Sequence, residues 1–334
     1  MNESPRLLVV QTAFLGDVVL TTPLLKALKE HRPGAYLAVL VIPETAAVLE
    51  GAPFVDDLVV HDKRGGGLRE LRRVIREVRA RKFDVVVSPH RSARSAIIAW
   101  RSGAPRRLGY RESALPRLYT ERVPRPREGH ETRKILALAE ALGCHDSEAR
   151  PVLVATEAER GAAREAAGGR RYVVISPSSV WPTKRWLPEG FAAVGDHLAR
   201  RGYAVMLTGG PAETKPAAAV AAAMEAPATN VAGRTTPREL AALVAEAALV
   251  VANDSAPVHL ASAFDTPTVA VFGATVPAQG FGPLASRSAV SEVEGLYCRP
   301  CGAHGGRRCP EKHFRCMREL TPAGVIATVD RVAR

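Results

Sequence analysis

Short runs of β-branched and apolar residues alternate with longer segments of helical apolar spacing through most of this chain. In the first half, predicted strands at 7–11, 37–42, 58–60 and 85–87 are each followed by a predicted helix, at 18–30, 44–49, 68–80 and 92–100. Strands joined through helices pair in parallel, and a parallel sheet needs helices over both faces to bury it. The alternation therefore predicts an α/β fold with a doubly wound sheet.

The alternation restarts after an Arg- and Pro-rich stretch at 111–127, which we predict to be a loop, and a helical segment at 131–142. The predicted elements of the second half are 172–176, 191–200, 204–208, 217–224, 238–247 and 268–272. A chain of 334 residues exceeds most single cores, so we predict two doubly wound domains facing each other across a cleft. Ligands of such sheets bind beyond the carboxyl ends of the strands, which makes that cleft the expected site.

Charge and composition narrow the classes of partner. The formal net charge of +12 requires an anionic partner, and the aromatic content of 5% is too low for a single-strand nucleic-acid binder. No segment approaches the ~18 to 20 apolar residues of a membrane span, and the N-terminus does not resemble a signal peptide. We expect a cytoplasmic protein that binds phosphorylated ligands, with peripheral contact to the inner face of an anionic membrane. The alternative from another class is a basic nucleic-acid-binding protein.

The stretch LVVANDSAPVHLASAF at 249–264 predicts a strand, a turn and a helix. Asp254 and Ser255 occupy the expected N-cap, so the first N–H groups of the helix would face an anion beyond the strand. Ala256 would let a phosphate approach, and His259 would add a donor one turn later. The stretch is a candidate phosphate cradle. The alternative is an ordinary capped junction with a half-buried histidine.

In each half, one charged residue of interest follows the first predicted strand. Asp17 lies in a strand-to-helix turn, where it could serve as a general base or merely cap the helix. Lys184 lies between two tryptophans and is placed as a point charge for a diphosphate. The turn at Asp17 lacks the glycine spacing of a dinucleotide-binding fingerprint, and the turn at Gly209 and Gly210 is equally short of it, which disfavours a nicotinamide oxidoreductase.

Four motifs in register carry a family resemblance. They are GDVVLTTP at 16–23, SPSSVWPTKRW at 176–186, NDSAPVHLASA at 253–263 and the terminal cysteine-rich segment. In this order they resemble the ADP-heptose:lipopolysaccharide heptosyltransferases, the ninth glycosyltransferase family, and within it most closely the heptosyltransferase II group.

The resemblance implies two Rossmann-like domains of the GT-B type. It implies an N-terminal acceptor-binding domain at 1–150, a C-terminal nucleotide-sugar-binding domain at 165–320, and a helix at 321–334 that we expect to pack back toward the N-terminal domain. The implied reaction is an inverting transfer of heptose from ADP-heptose to the inner core of lipopolysaccharide, with no metal required. The alternative is a related glycosyltransferase with another nucleotide sugar or acceptor.

The resemblance also implies roles for individual residues. Asp17 matches the family's proposed catalytic base and Lys184 its donor-phosphate lysine. The full implied donor-binding set is Ser179, Lys184, Glu213, Asp254, Ser255, Ala256 and His259. Relatives often have glycine where this chain has Ala256, so the loop would differ if that position required a positive φ.

Basic residues follow the third and fourth predicted strands, at the same edge of the sheet as Asp17. They are Lys63 and Arg64 after the third strand and His90, Arg91 and Arg94 after the fourth. We predict that Lys63, Arg64, Arg91 and Arg94 bind phosphate or carboxylate groups of the lipopolysaccharide acceptor. The alternative is that they are surface residues of an Arg-rich protein.

Four cysteines lie close together near the C-terminus, in the pattern C-x2-C-x7-C-x6-C. They are Cys298, Cys301, Cys309 and Cys316. Clustered thiols in a cytoplasmic protein favour a structural metal over disulfides, although the second pair lacks close C-x2-C spacing. Reduced thiols or an incidental pairing are the alternatives.

Overall fold

The computed structural model describes residues 4–145 and 147–333, and the chain divides into two compact units, Met1–Val154 and Ala155–Arg334. The described residues of the first unit form a six-stranded parallel sheet. Its strands are β1 (Arg6–Val10), β2 (Tyr36–Val41), β3 (Asp57–Val60), β4 (Val85–Ser88), β5 (Arg106–Tyr110) and β6 (Glu121–Val123). The order across the sheet is β3-β2-β1-β4-β5-β6. The order reverses between β1 and β4, which opens a crevice at their carboxyl ends.

Helices connect the strands of the first sheet. They are α1 (Leu15–His31), α2 (Pro43–Ala46), α3 (Gly67–Ala80), α4 (Ala93–Arg101) and α5 (Glu131–Glu140). β1 is buried from Leu7 onward, as expected for a strand covered on both faces. In the Arg-rich α3, Val74 and Val78 lie four residues apart and are buried, which gives this helix a single apolar stripe toward the sheet.

The second unit repeats this plan. Its strands are β7 (Tyr172–Ser176), β8 (Ala204–Leu207), β9 (Ala228–Asn230), β10 (Val250–Asn253), β11 (Thr268–Phe272) and β12 (Ser288–Glu292), in the order β12-β11-β10-β7-β8-β9. Its helices are α6 (Glu157–Ala166), α7 (Pro188–Arg200), α8 (Thr214–Ala223), α9 (Pro237–Glu246), α10 (Ala256–Phe264), α11 (Arg315–Arg318) and α12 (Pro322–Val332). The switch point here lies between β7 and β10.

The last helix, α12, packs within the second unit. Val325 and Val329 belong to the hydrophobic core of this unit, and α12 contacts α7 and β12. His197 on α7 is hydrogen-bonded through Nε2 to Asp330 Oδ1 at 2.9 Å, which adds a polar link on the solvent side. The apolar face of the predicted C-terminal helix is therefore used inside the second unit.

The predicted α/β class with two doubly wound sheets is confirmed. Four strands escaped the sequence prediction: β5, β6, β9 and β12. β6, β9 and β12 are edge strands of their sheets, and β6 and β9 have only three residues each. Such strands bury little surface and show weak apolar patterning. The predicted loop at 111–127 consequently contains β6.

Candidate functional site

The carboxyl ends of β7 and β10 lie side by side in the second sheet, and charged side chains gather there. The loop after β7 contains a 3-10 turn, Pro182–Lys184, and β10 leads through Asp254 and Ser255 into α10. Lys184 Nζ lies 2.6 Å from Asp254 Oδ2, with the two side chains 12% and 4% exposed. This contact, which we call the Lys184–Asp254 pair, is a nearly buried ion pair at the switch point.

Two neutral side chains hold the carboxyl end of β10 in place. The hydroxyl of buried Thr275, which follows β11, donates to the same Asp254 Oδ2 at 2.6 Å. Asn253 is fully buried, donates through Nδ2 to Pro177 O at 2.8 Å and accepts the backbone N–H of Trp186 at 3.0 Å. Asn253 thereby joins the end of β10 to the loop that carries Lys184. Sequence reasoning missed the roles of Asn253 and Thr275.

The first turn of α10 has an anion-binding geometry that differs in detail from the prediction. Ser255 is the N-cap, but its hydroxyl donates to Asn253 O at 3.1 Å and caps no N–H group. In the part of the chain that the structure describes, the N–H groups of Ser255 and Ala256 have no hydrogen-bond acceptor. Pro257 has no N–H to offer. Two adjacent N–H donors therefore lie beside the Lys184–Asp254 pair.

The other predicted donor-binding residues lie around this crevice with partners of their own. Glu213 Oε2 accepts the N–H of Gly210 at 2.9 Å and closes its own turn. Ser179 is buried, and its carbonyl accepts a hydrogen bond from Arg185 Nε at 2.8 Å. His259 is 5% exposed. Lys184 and Asp254 of the predicted set are in direct side-chain contact.

Asp17 lies in the first turn of α1, beyond the carboxyl end of β1 in the first unit. Its Oδ2 accepts the backbone N–H of Phe14 at 3.2 Å, as a helix-capping carboxylate does. Phe14 itself is 50% exposed. A carboxylate that uses one oxygen as a cap retains lone pairs for a second donor, so capping and proton acceptance are compatible at Asp17.

A connected polar network lies at the switch point of the first sheet. Lys63 Nζ donates to the carbonyl oxygen of Thr12, and Arg94 Nη1 donates to Lys63 O at 2.8 Å. The Thr12 hydroxyl is hydrogen-bonded to His90 Nδ1 at 3.0 Å. The loops after β1, β3 and β4 are thereby tied together. The structure thus brings two predicted acceptor-binding residues, Lys63 and Arg94, to one place.

The electrostatics of this network favour neutral His90 and a less basic Lys63. Burial lowers the pKa of His90 to about 4, with Lys63 and Arg91 adding to the effect, so the imidazole is neutral at pH 7. Burial also lowers the pKa of Lys63; neighbouring Arg64 adds to this lowering, whereas Asp17 opposes it. Lys63 therefore lies close enough to Asp17 for the two charges to interact at this edge.

The remaining two predicted acceptor-binding residues lie farther out. Arg64 pairs with Glu44 at 3.0 Å, and both side chains are more than half exposed. Arg91 is exposed, and its carbonyl accepts the N–H of Ala114 at 3.0 Å. These two arginines are available to an anion at the surface, outside the network around Thr12.

Comparison with known proteins identifies the family of the chain that carries these two crevices. The model of glycosyltransferase family 9 (heptosyltransferase) matches residues 71–313, which is more than half of the chain. The chain belongs to glycosyltransferase family 9. The lipopolysaccharide heptosyltransferase 3 of Escherichia coli is 32% identical, over 78% of this chain and 82% of that relative. The predicted resemblance is confirmed at the level of the family, and this member of family 9 is a glycosyltransferase.

Solved structures agree with the fold of this family 9 enzyme. A glycosyl transferase family 9 structure from Veillonella parvula has a TM-score of 0.87 and 26% identity, covering 98% of this chain and 97% of its own. The ADP-heptose lps heptosyltransferase II structure from E. coli has a TM-score of 0.82 at 20% identity, covering 98% of each chain. These likenesses confirm the predicted GT-B fold. Proteins named heptosyltransferase 3 and heptosyltransferase II are thus both similar to this chain.

The predicted structural metal on the terminal cysteines is not supported. Within residues 4–145 and 147–333, no group of three or more His, Cys, Asp or Glu side chains is arranged to hold a metal ion. Cys301 Sγ donates to Cys298 O at 3.2 Å. Cys316 is buried in the core, and burial raises its pKa to about 11.

The helices of the described residues include none that combines the length and the apolar character of a bilayer span.

Proposed function

We propose that this family 9 glycosyltransferase transfers a heptose from ADP-heptose to the inner core of lipopolysaccharide, with inversion at the anomeric carbon. The Lys184–Asp254 pair beside the two N–H donors of Ser255 and Ala256 carries the proposal. A cation and a helix N-terminus at one switch point suit a nucleoside diphosphate. The family and the name of the 32% identical relative support heptose and lipopolysaccharide as sugar and acceptor.

The second unit supplies the leaving-group chemistry in this proposal. The bond between the anomeric carbon and the β-phosphate oxygen breaks, and its electron pair leaves with ADP. Lys184 and the N–H groups of Ser255 and Ala256 stabilise that developing charge. Donors fixed before the reaction typically contribute about 2.7–4 kcal/mol each to such stabilisation. Asp254 and Thr275 hold the ammonium group in place before the donor arrives.

The first unit supplies the acceptor chemistry. An acceptor hydroxyl oxygen forms the new bond to the anomeric carbon, and its proton passes to the carboxylate of Asp17. Attack from the face opposite ADP inverts the configuration. Lys63, Arg94, Arg64 and Arg91 bind anionic groups of the acceptor near this carboxylate. The remaining predicted donor residues, Ser179, Glu213 and His259, contact the nucleotide and sugar.

We further propose that the protein works in the cytoplasm at the inner face of the inner membrane. The formal charge of +12 and the arginines on the outer face of α3, Arg69, Arg72 and Arg76, which are exposed, support attraction to anionic lipid. An acceptor anchored in that membrane would be met at the same surface.

A direct assay tests the proposed reaction. The purified protein is incubated with lipopolysaccharide from heptose-deficient cells together with one donor at a time. The donors are ADP-heptose, other ADP-sugars and a UDP-sugar. Mass spectrometry identifies the sugar added, and NMR of the product gives the anomeric configuration. Addition of one heptose from ADP-heptose with inverted configuration is expected. Transfer of another sugar, or retention, would contradict the proposal.

A further inference from the structure

The segment that carries the terminal cysteines, residues 298–316, lies against the loop of Lys184, and we call it the cysteine-rich segment. We infer that this segment holds Lys184 and Asp254 in register for the donor, with Thr183 as the positioning residue that clamps the lysine loop. The inference rests on the proposed function because it gives a role to the Lys184–Asp254 pair.

Three hydrogen bonds form the clamp. The backbone N–H of Thr183 donates to Gly306 O at 3.2 Å, and the Thr183 hydroxyl donates to the same oxygen at 2.9 Å. The N–H of Gly306 donates back to Thr183 Oγ1 at 2.7 Å. Thr183 is 4% exposed and directly precedes Lys184 in one 3-10 turn. The orientation of this turn is therefore set by a segment more than a hundred residues away in sequence.

The backbone of the cysteine-rich segment also packs against the lysine side chain. Gly305 has a φ of +75°, and a Cβ there would lie 2.9 Å from Thr183 Oγ1 and 3.4 Å from Lys184 Cγ. Glycine is needed at this position for both conformation and space. With no side chain at 305, the segment can lie directly on the alkyl stem of Lys184 and restrict its rotamers.

A second anchor connects the same segment to the other half of the ion pair. Arg299, whose side chain is 5% exposed, donates through Nη2 to Thr275 O at 2.8 Å and to Glu292 Oε2 at 2.6 Å. The N–H of Cys301 donates to Ala274 O at 2.8 Å. Thr275 in turn donates to Asp254 Oδ2. One segment thus fixes Lys184 through Thr183 and Asp254 through Thr275.

The first experiment removes the clamp hydroxyl without changing shape. Thr183→Val deletes two side-chain hydrogen bonds, and Thr183→Ser retains the hydroxyl as the matched control. We expect Thr183→Val to weaken ADP binding, measured by calorimetry, by roughly ten- to thirtyfold, and Thr183→Ser to stay near wild type. In a Lys184→Ala background the same change should have little further effect on ADP affinity, because Thr183 acts through the lysine.

Two outcomes would overturn the inference. The first is wild-type ADP affinity in Thr183→Val, and the second is an undiminished loss in the Lys184→Ala background. Gly305→Ala provides an independent variant, and Gly302→Ala is its control. Both glycines have positive φ, but a Cβ at Gly302 would meet no atom within 4 Å. ADP affinity should therefore fall in Gly305→Ala well below that of Gly302→Ala, and equal affinities would count against the clamp.

Amide hydrogen exchange gives a readout that does not depend on the ligand. Thr183→Val keeps the backbone N–H that bonds to Gly306 but removes the two hydroxyl hydrogen bonds that hold the cysteine-rich segment beside it. Exchange of the peptide spanning 179–187 should therefore speed up by about tenfold or more in Thr183→Val and stay unchanged in Thr183→Ser. Unaltered exchange would refute the clamp. If Thr183→Val shows the faster exchange but the wild-type protein binds no ADP, the proposed donor is refuted and the positioning of Lys184 stands.

Discussion

Removing the charge of Lys184 should separate a stability effect from a binding effect. Lys184→Met keeps the alkyl volume but leaves the carboxylate of Asp254, which is 4% exposed, with Thr275 as its remaining side-chain partner. Breaking a buried ion pair on one side costs about 3–5 kcal/mol. Because Lys184 keeps 12% exposure, we expect the lower end, about 3 kcal/mol, or a fall in melting temperature of about 6–12 °C.

A second substitution should recover the stability but not the binding. In Lys184→Met/Asp254→Asn the buried charge is gone, and the amide oxygen of Asn can still accept the Thr275 hydroxyl. Most of the lost stability should return. ADP affinity should stay roughly ten- to a hundredfold weaker than wild type, since the diphosphate has lost its charge-assisted partner.

Thermal unfolding and calorimetric titration with ADP on the two variants test this reasoning. Lys26→Met is the control, because Lys26 pairs near the surface with Glu30 and Glu148, and its stability loss should stay below about 1 kcal/mol. A single variant as stable as wild type would show that the pair does not bear on folding. Recovery of ADP affinity in the double variant would show that Lys184 serves the fold and not the donor.

Three further outcomes are expected. Asp17→Asn should lower turnover by about a hundredfold or more while ADP affinity and melting temperature barely change, since Asn caps a helix nearly as well as Asp; wild-type turnover would exclude the proton-acceptor role. The pKa of His90 is depressed in the folded state to about 4, so its contribution to stability is complete above the unfolded value near 6.5 and is lost as pH falls toward 4. The pH dependence of urea unfolding should therefore be flatter in His90→Asn across that window, and an unchanged slope would contradict the assignment. The hydrogen bond from His197, followed by Arg201, lowers the pKa of Asp330, so the stability difference between wild type and Asp330→Asn should be present above pH ~4 and vanish as pH falls through the lowered pKa; a difference that grows on acidification would oppose this.

The sequence predicts the central strands and the charged loops well, because both are encoded locally. The apolar run of β10 and the abrupt change to Asp254 and Ser255 are visible in a single window. The edge strands are not visible in this way, because β6 and β9 have three residues each and none of these residues is fully buried. β6 pairs with β5 and β9 pairs with β8, and no local pattern specifies this pairing.

The partners within the site were beyond the sequence for a related reason. Thr275 and Arg299 act on Asp254 only because β11 lies beside β10 and brings residues from distant segments together. The cysteine spacing suggested a metal. The structure instead uses that segment as backbone packing, with Gly305 and Gly306 making the contacts with the lysine loop. Glycines and carbonyl oxygens carry no chemical signature that a motif could reveal.

The strand orders allow the two units to be compared position by position. Counting strands within each unit from one to six gives the order 3-2-1-4-5-6 in both. Asp17 follows strand one of the first unit and Lys184 follows strand one of the second, so a carboxylate and an ammonium group occupy topologically equivalent positions. The two units thus share one topology but carry opposite charges at the same topological position, so each serves as an internal template against which the specialisation of the other can be measured.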